Sequence, residues 1–497
     1  MMRLVAVSNR VAALRRAASA GGLTVGVLAA MKAHGGLWFG SSGDVVDRIP
    51  GAPDIVSRGN VTLATIDLPR QDEELYYAGF CNGTLWPLFH YFVGTFQYSD
   101  AQFEAYVRVN RLFADRLQPL LRGDDLVWVH DYHLIPLGRM LREAGARQAL
   151  GFFLHIPFPH VEALRTLPVY AEIVRDLLAY DVVGFQTASD LNSFRSAVID
   201  LHGPEAVHRD GSIRVGSRRT TASVFPIGVD VDAVQREARD SQGDEAVQRM
   251  QSGLLGRRCI IGVERLDYSK GLVERLRSYE RFLERHPHNL NGVTYLQIAP
   301  VSRGAVKAYA ELRRSLEQAA GRINGRFADT NWTPIRYLNR DFPHDVLMGF
   351  LRAARVGLVT PMRDGMNLVA KEYVAAQDPD DPGVLVLSTL AGAARELKDA
   401  LLVNPRDTSG VADAIQQALL MPLAERRERH RRMLEVLRRN DIHAWHTRFI
   451  DLLQAAGRAA PRPPAETSGS GQRPVQHPCS DDRQEKAESR GKPAPVH

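Results

Sequence analysis

The sequence predicts an α/β protein built from two doubly wound, Rossmann-like domains. Short, almost wholly apolar β-type runs recur along both halves of the chain, as strands buried on both faces do. Helical patterns separate these runs, which makes consecutive strands parallel neighbours in a sheet. The length of 497 residues exceeds one ordinary core, so two domains plus extras is the natural division.

In the first half the runs cover residues 4–7, 126–129, 151–154, 182–185 and 223–226. In the second they cover 259–263, 293–299, 335–338, 356–360 and 384–387. Phe225-Pro-Ile-Gly-Val-Asp230 closes a strand and opens a polar helical stretch, which sets the first domain at 1–227 and the second at 228–440. Residues 423–453 read as helices, and 441–457 are expected to return as a helix onto the first domain. From 458 to 497 the composition shifts to Pro, Gly, Ser and mixed charge, so that tail is expected to be disordered.

Hydrophobic residues make up 44% of the chain, enough for well-packed cores. The net charge of +6 suits anionic small molecules as well as nucleic acid and does not choose between them. The cysteines are Cys81, Cys259 and Cys479, too few and too odd in number for a disulfide framework, which points to a reducing compartment. The first apolar run is too short for a signal sequence and Arg10 interrupts it. No window approaches a membrane span. A soluble cytoplasmic protein is expected, with no membrane partner.

Ligands of doubly wound folds sit beyond the carboxyl ends of the strands, and polar residues cluster there. Ser8-Asn9-Arg10 follows the first run, and Gly21-Gly22 then leads into a helix, where paired glycines let backbone approach a phosphate or simply form a surface loop. His130-Asp131-Tyr132-His133 follows the second run. It reads as a metal site, as hydrogen bonding to vicinal sugar hydroxyls through Asp131, or as an aspartate capping the next helix. His155 precedes Ile-Pro-Phe-Pro159, an extended loop, and is a candidate donor to a hydroxyl or a structural histidine.

In the second half, Glu264-Arg265-Leu-Asp267-Tyr-Ser-Lys270-Gly271 sets two cations five residues apart. Arg binds phosphate oxygens in pairs and Lys adds a point charge, so together they can stabilise a departing diphosphate. Ion pairing with Glu264 and Asp267 on the surface is the alternative. Arg303 is a candidate for an acceptor phosphate or a solvated arginine at a helix start. Asp230-Val-Asp232 matches a short metal motif but lies at the domain join and reads as structural. The arginine-rich run 426–439 has Leu434 and Leu437 interleaved, so it reads as a solvated helix face, with no nucleic-acid partner expected.

The most informative stretch runs from Thr360 to Glu372. A strand ends, a glycine loop turns, and a helix opens whose free amides make an anion site. Asp364 and Glu372 bracket it with seven residues between them. Diphosphate on the helix end, a carboxylate on ribose hydroxyls and an acidic loop by the sugar suit a nucleotide sugar, hence glycosyl transfer.

With these motifs the chain resembles the trehalose-6-phosphate synthases, retaining glycosyltransferases of the two-Rossmann-domain type. The resemblance spans about residues 4–453. It rests on Gly35-Gly-Leu-Trp-Phe-Gly40, Leu85-Trp86-Pro, His130-Asp-Tyr-His133, Gly151-Phe-Phe-Leu-His-Ile-Pro-Phe-Pro159, Val263-Glu-Arg-Leu-Asp-Tyr-Ser-Lys-Gly271 and Arg363-Asp-Gly-Met-Asn-Leu-Val-Ala-Lys-Glu372. It implies two domains facing across a cleft, the GT-B arrangement, and transfer of glucose from UDP-glucose to glucose 6-phosphate, giving α,α-trehalose 6-phosphate and UDP. It implies glucose 6-phosphate at Arg10, Tyr77, Trp86, Asp131 and Arg303. It implies nucleotide-glucose at Gly21, Gly22, Arg265, Lys270, Phe342 and Leu368, Val369, Ala370, Lys371 and Glu372. Asp131, His155, Arg265, Lys270 and Asp364 are the implied catalytic set. Neither a metal nor another cofactor is expected, and relatives form homo-oligomers, dimers or tetramers.

One departure bears on the acceptor. The family commonly has a second tryptophan where this chain has Ser41, in Trp38-Phe-Gly-Ser41-Ser-Gly43, and a hydroxyl does not cover the sugars as an indole does. That difference keeps a non-catalytic sugar-phosphate sensor open as an alternative. A phosphorylase with Lys270 as a Schiff-base lysine is a second one, although the loop supplies no pyridoxal-binding context.

Overall fold

The computed structural model describes residues 2–11, 22–48, 51–301 and 307–459. Gly21, Arg303 and the tail from 460 lie outside the described residues.

The strands are β1 (Leu4–Arg10), β2 (Gly36–Val46), β3 (Asp54–Arg58), β4 (Val61–Pro69), β5 (Leu126–His130), β6 (Ala149–Phe153), β7 (Val182–Phe185), β8 (Ser212–Val215) and β9 (Arg218–Val224) in the first half. The second half holds β10 (Arg258–Val263), β11 (Val293–Ile298), β12 (Ile335–Leu338), β13 (Val356–Val359), β14 (Val384–Ser388) and β15 (Leu401–Val403). They form a nine-stranded sheet ordered β3-β4-β2-β1-β5-β6-β7-β9-β8 and a six-stranded sheet ordered β12-β11-β10-β13-β14-β15. The smaller sheet is parallel throughout. The larger is parallel except at its two edges, where β3 pairs antiparallel with β4 and β8 with β9. The chain therefore has two doubly wound α/β domains, as its periodicity predicts.

In both sheets the strand order reverses beside the first strand, at β1/β5 and at β10/β13. The crevices of such folds open at these switch points. Every apolar run of the sequence falls on a strand, with ends shifted by a few residues; the run at 223–226 is the end of a longer strand, β9.

β2, β3, β4, β8 and β15 escape the apolar-run criterion. β2 is instructive because its glycine-rich start resembles a loop. A Cβ on Gly36 would lie 2.1 Å from the Leu4 carbonyl oxygen, and one on Gly40 would lie 2.2 Å from that of Ser8. The glycines let β2 press against β1.

The chain leaves the first domain through residues 225–230 and returns after the helix Leu423–Arg439 into a last helix, Ile442–Ala459. That helix lies on the first sheet. Its Trp445 and Phe449 rings sit 4.9 and 4.5 Å from Trp128 of β5, and Gly151 of β6 leaves room for Phe449, where a Cβ would come within 2.7 Å. The two crossings touch at Gly228, where a Cβ would lie 2.2 Å from the Asn440 carbonyl oxygen. Asp230 caps the helix Val231–Asp240, its Oδ1 accepting from the Ala233 amide at 2.9 Å. The Asp-x-Asp match at this join is thus structural.

Candidate functional site

One wall of the cleft is built at the carboxyl ends of β1, β5 and β6. Arg10 ends β1 and is exposed; its guanidinium lies 5.3 Å above the Tyr77 ring and donates to Glu73 at 3.3 Å. Tyr77 in turn stacks on His133, with ring centroids 5.7 Å apart. Trp86, buried, packs 4.1 Å from His90. Asp131 follows β5 with φ +76°, a conformation strained for a non-glycine residue. Its Oδ1 accepts from the His155 amide at 3.2 Å and does not cap the following turn. That contact joins the ends of β5 and β6.

His155 faces a second imidazole, with His130 Nδ1 and His155 Nε2 3.2 Å apart. Burial pushes the His155 pKa down to about 3 and holds His130 well below its usual value, so both rings are neutral near pH 7. His130 packs 4.4 Å from Trp128 and His133 packs 3.9 Å from Tyr132. Both histidines of the His-Asp-Tyr-His motif are therefore buried beside Asp131. Among the described residues no group of three or more His, Cys, Asp or Glu is placed to hold a metal.

The facing wall comes from β10 and β13. Arg275, fully buried, organises it. Its guanidinium pairs with Glu264, donates to Thr360 Oγ1 at 2.9 Å and reaches the Lys270 carbonyl at 3.2 Å. Glu264 is therefore committed to Arg275, and Asp267 accepts from the Ser269 amide at 2.9 Å. Neither neutralises Arg265, which corrects the reading of this loop as a surface ion-pair cluster. Arg265 is exposed and lies 5.9 Å over the Trp86 ring of the opposite wall.

Lys270 pairs with Asp364, and Asn367 Nδ2 donates to the same carboxylate at 3.0 Å. Asn367 (φ +76°) also caps the helix Leu368–Ala376, its Oδ1 accepting from the Ala370 amide at 3.2 Å. Cation, carboxylate and helix start therefore form one connected unit. Phe342 is buried against Phe350, its ring centroid 5.1 Å away, with the Arg340 guanidinium 4.4 Å over its face. Glu372 Oε1 lies 3.5 Å from His344 Nε2.

Lys371 belongs elsewhere. Its side chain is fully buried and its ammonium donates to the Ile227 carbonyl at 2.7 Å and to Glu396 at 2.6 Å. The ammonium thus grips the domain crossing, while the Lys371 backbone sits in the helix that opens at the site. Ser41 is also buried, with Oγ accepting from the Gly43 amide at 3.0 Å.

The walls meet closely. A Cβ on Gly365 would lie 2.3 Å from the His155 carbonyl oxygen, so the Asp364 loop presses on the His155 loop. Phe92 meets Tyr268 at 5.1 Å, and Arg363 lies 4.6 Å over Tyr91. His90 registers the facing charges: burial lowers its pKa to about 4, while Asp267 and Asp364 pull it up and Lys270 pushes it down. Sequence reasoning missed Arg275, His90 and His344. Only His344, two residues after Phe342, left a positional signal.

Comparison with known proteins agrees with this geometry. The profile of glycosyltransferase family 20 matches residues 5–455. The Klebsiella pneumoniae trehalose-6-phosphate synthase is 49% identical over 91% of this chain and 95% of its own. The crystal structure of an α,α-trehalose-phosphate synthase (UDP-forming) from Burkholderia xenovorans in complex with glucose-6-phosphate is 50% identical, covers 91% of this chain and 100% of its own, and superposes with a TM-score of 0.87. An E. coli structure bound with UDP-2-fluoro glucose is 46% identical over 91% and 99% of the two chains, with a TM-score of 0.86.

Proposed function

The chain belongs to glycosyltransferase family 20, and from that premise we propose that it transfers glucose from UDP-glucose to glucose 6-phosphate with retention, releasing UDP and α,α-trehalose 6-phosphate. One observation carries the reading most. Arg265, unpaired by Glu264 and Asp267, leans toward Trp86 across the cleft while Lys270 stands at the capped start of the Leu368–Ala376 helix.

In this reading Arg10, Tyr77, Trp86, Asp131 and Arg303 receive glucose 6-phosphate. Gly21, Gly22, Arg265, Lys270, Phe342 and the segment 368–372 receive the nucleotide-glucose, with the Leu368 and Val369 amides toward its diphosphate and Glu372 on the ribose hydroxyls. Breakage of the bond from the anomeric carbon to the diphosphate oxygen leaves the electron pair on the diphosphate and positive charge on the sugar. Arg265, Lys270 and the helix amides offset the first charge, and Asp364 faces the second. The acceptor hydroxyl attacks from the same face and passes its proton to the leaving phosphate oxygen. His155, held neutral by burial, donates or accepts a hydrogen bond without adding charge beside the sugar. Closure of the two walls keeps water from the donor.

The same reading carries a cytoplasmic location and a homo-oligomeric state, dimer or tetramer. No described helix is long and apolar enough to cross a membrane. Light scattering after gel filtration reads the oligomer. The function is tested by UDP release with UDP-, GDP- and ADP-glucose against glucose 6-phosphate and other hexose phosphates, with NMR assignment of the product anomers. Absence of acceptor-dependent release from every donor overturns it.

A further inference from the structure

His344 opens the helix His344–Ala353 and stands two residues after Phe342. Its Nδ1 lies 2.7 Å from Glu237 Oε2 and its Nε2 lies 3.5 Å from Glu372 Oε1. Glu237 belongs to the helix Val231–Asp240 and Glu372 to the helix Leu368–Ala376, so one ring bridges three helices. Carboxylates only accept hydrogen bonds, and only the doubly protonated imidazolium donates from both nitrogens. The arrangement is therefore satisfied by one charge state. We propose that His344 is a positioning residue for the nucleotide half of the donor: as an imidazolium anchored by Glu237, it holds the Glu372 carboxylate in the orientation that receives the ribose hydroxyls.

The inference rests on the reading that Glu372 meets the ribose. Burial opposes the charge, but the bonds to Glu237 and Glu372 outweigh it and raise the His344 pKa to about 10, so the clamp stays charged through the physiological range. The clamp has two consequences. It holds the Glu372 side chain, 17% exposed, in one orientation before the nucleotide arrives, removing an ordering cost from nucleotide binding. It also places a positive charge behind Glu372, which lessens the repulsion between that carboxylate and a diphosphate bound at the start of its helix. Because His344 follows Phe342 so closely, the same anchor couples the Phe342 loop to the ribose carboxylate.

The test uses the full-length protein and compares calorimetric affinities for UDP and 2′,3′-dideoxy-UDP, together with steady-state kinetics. Wild type is expected to favour UDP by about tenfold or more, the effect of hydrogen bonds from hydroxyls to a charged acceptor. Glu372→Gln checks the underlying reading: if it leaves that preference intact, Glu372 does not meet the ribose and both readings fall. With the preference lost in Glu372→Gln, His344→Gln is expected to shrink it to about twofold and to raise KM for UDP-glucose, with kcat and KM for glucose 6-phosphate changed by less than about twofold. His344→Arg, which retains a charged donor, is expected to recover part of the preference. Should His344→Gln fail to fold, Glu237→Gln loosens the same ring from its far side and reads the same ratio. A preference undiminished in the folded His344 or Glu237 variants, with Glu372→Gln defective, overturns the positioning role alone.

Discussion

Replacing Lys371 by methionine removes one ammonium from the point where the two domain crossings meet, and keeps an unbranched stem of similar length. The ammonium donates to the Ile227 carbonyl at 2.7 Å and to Glu396 at 2.6 Å, and Glu396 also accepts from Asn440 at 2.9 Å. Ile227 lies on the outgoing crossing and Asn440 on the returning one. Burial pulls the Lys371 pKa down while Glu396 opposes it, as expected for a charge kept in the interior by its partner. Breaking a buried pair by removing one member costs about 3–5 kcal/mol. Glu396 keeps Asn440 and some solvent contact, which places Lys371→Met near the lower bound, at about 3 kcal/mol. Urea unfolding followed by tryptophan fluorescence measures it. Adding Glu396→Leu is expected to restore more than about 1 kcal/mol, because the stranded carboxylate is then gone. KM for UDP-glucose is expected to stay within about twofold of wild type. Unchanged stability with KM raised tenfold or more would refute the reasoning, since the ammonium would then be serving the diphosphate.

Three further outcomes follow from the same geometry. Arg265→Ala and Lys270→Ala are each expected to lower kcat by about 10²–10³, the range for removing one preorganised group that stabilises developing charge; a loss below tenfold in both counts against leaving-group stabilisation. Gly365→Ala sets a methyl 2.3 Å from the His155 carbonyl oxygen and 3.0 Å from the Ile156 Cα, so it is expected to abolish turnover while circular dichroism stays native; wild-type turnover would show that the walls need not approach so closely. The folded protein holds the His344 proton to about pH 10 from an ordinary value of 6.5, so this contribution to stability is complete below pH 6.5 and is lost as pH rises toward 10. Thermal unfolding across that window should fall more steeply for wild type than for His344→Gln, and parallel curves would deny the linkage.

Much of this was legible in the chain. Strands buried on both faces leave continuous apolar runs, so the parallel centres of both sheets were visible, as were the polar residues at their carboxyl ends. β2 was hidden because close approach to β1 selected glycines over apolar side chains at Gly36 and Gly40. The site divides the same way. Arg265, Lys270, Asp364 and the helix start are neighbours in a loop–helix signature. The partners of Glu264 and Lys371 were not legible, since they lie 11 residues away for Glu264 and 144 and 25 for Lys371, and the pairing depends on how helices pack. A lysine inside a phosphate-binding signature looks like a ligand contact. Only the helix phase in three dimensions turns it toward the crossing.

The charge pairs of the two walls also bear on the order of events. Arg10 and Lys270, one on each wall, both rest on carboxylates, Glu73 and Asp364, while Arg265 rests on an aromatic face. The two pairs differ in strength. The Arg10 side chain is 51% exposed, and such a pair contributes about 0–1 kcal/mol, so an incoming phosphate exchanges with Glu73 at little expense. Lys270 and Asp364 are 12% and 13% exposed, and their attraction is screened far less. A diphosphate reaching the helix start must therefore compete for Lys270. The Ala370 amide is already used by the Asn367 cap, which leaves the Leu368 and Val369 amides, unpaired by helix geometry, to take part of the anionic charge. If Lys270 turns toward the diphosphate as proposed, Asp364 loses the ammonium while Asn367 keeps it in place. In the proposed reaction that carboxylate then stands beside an anomeric carbon gaining positive charge. Under that proposal donor binding itself primes the electrostatics of the bond-breaking step.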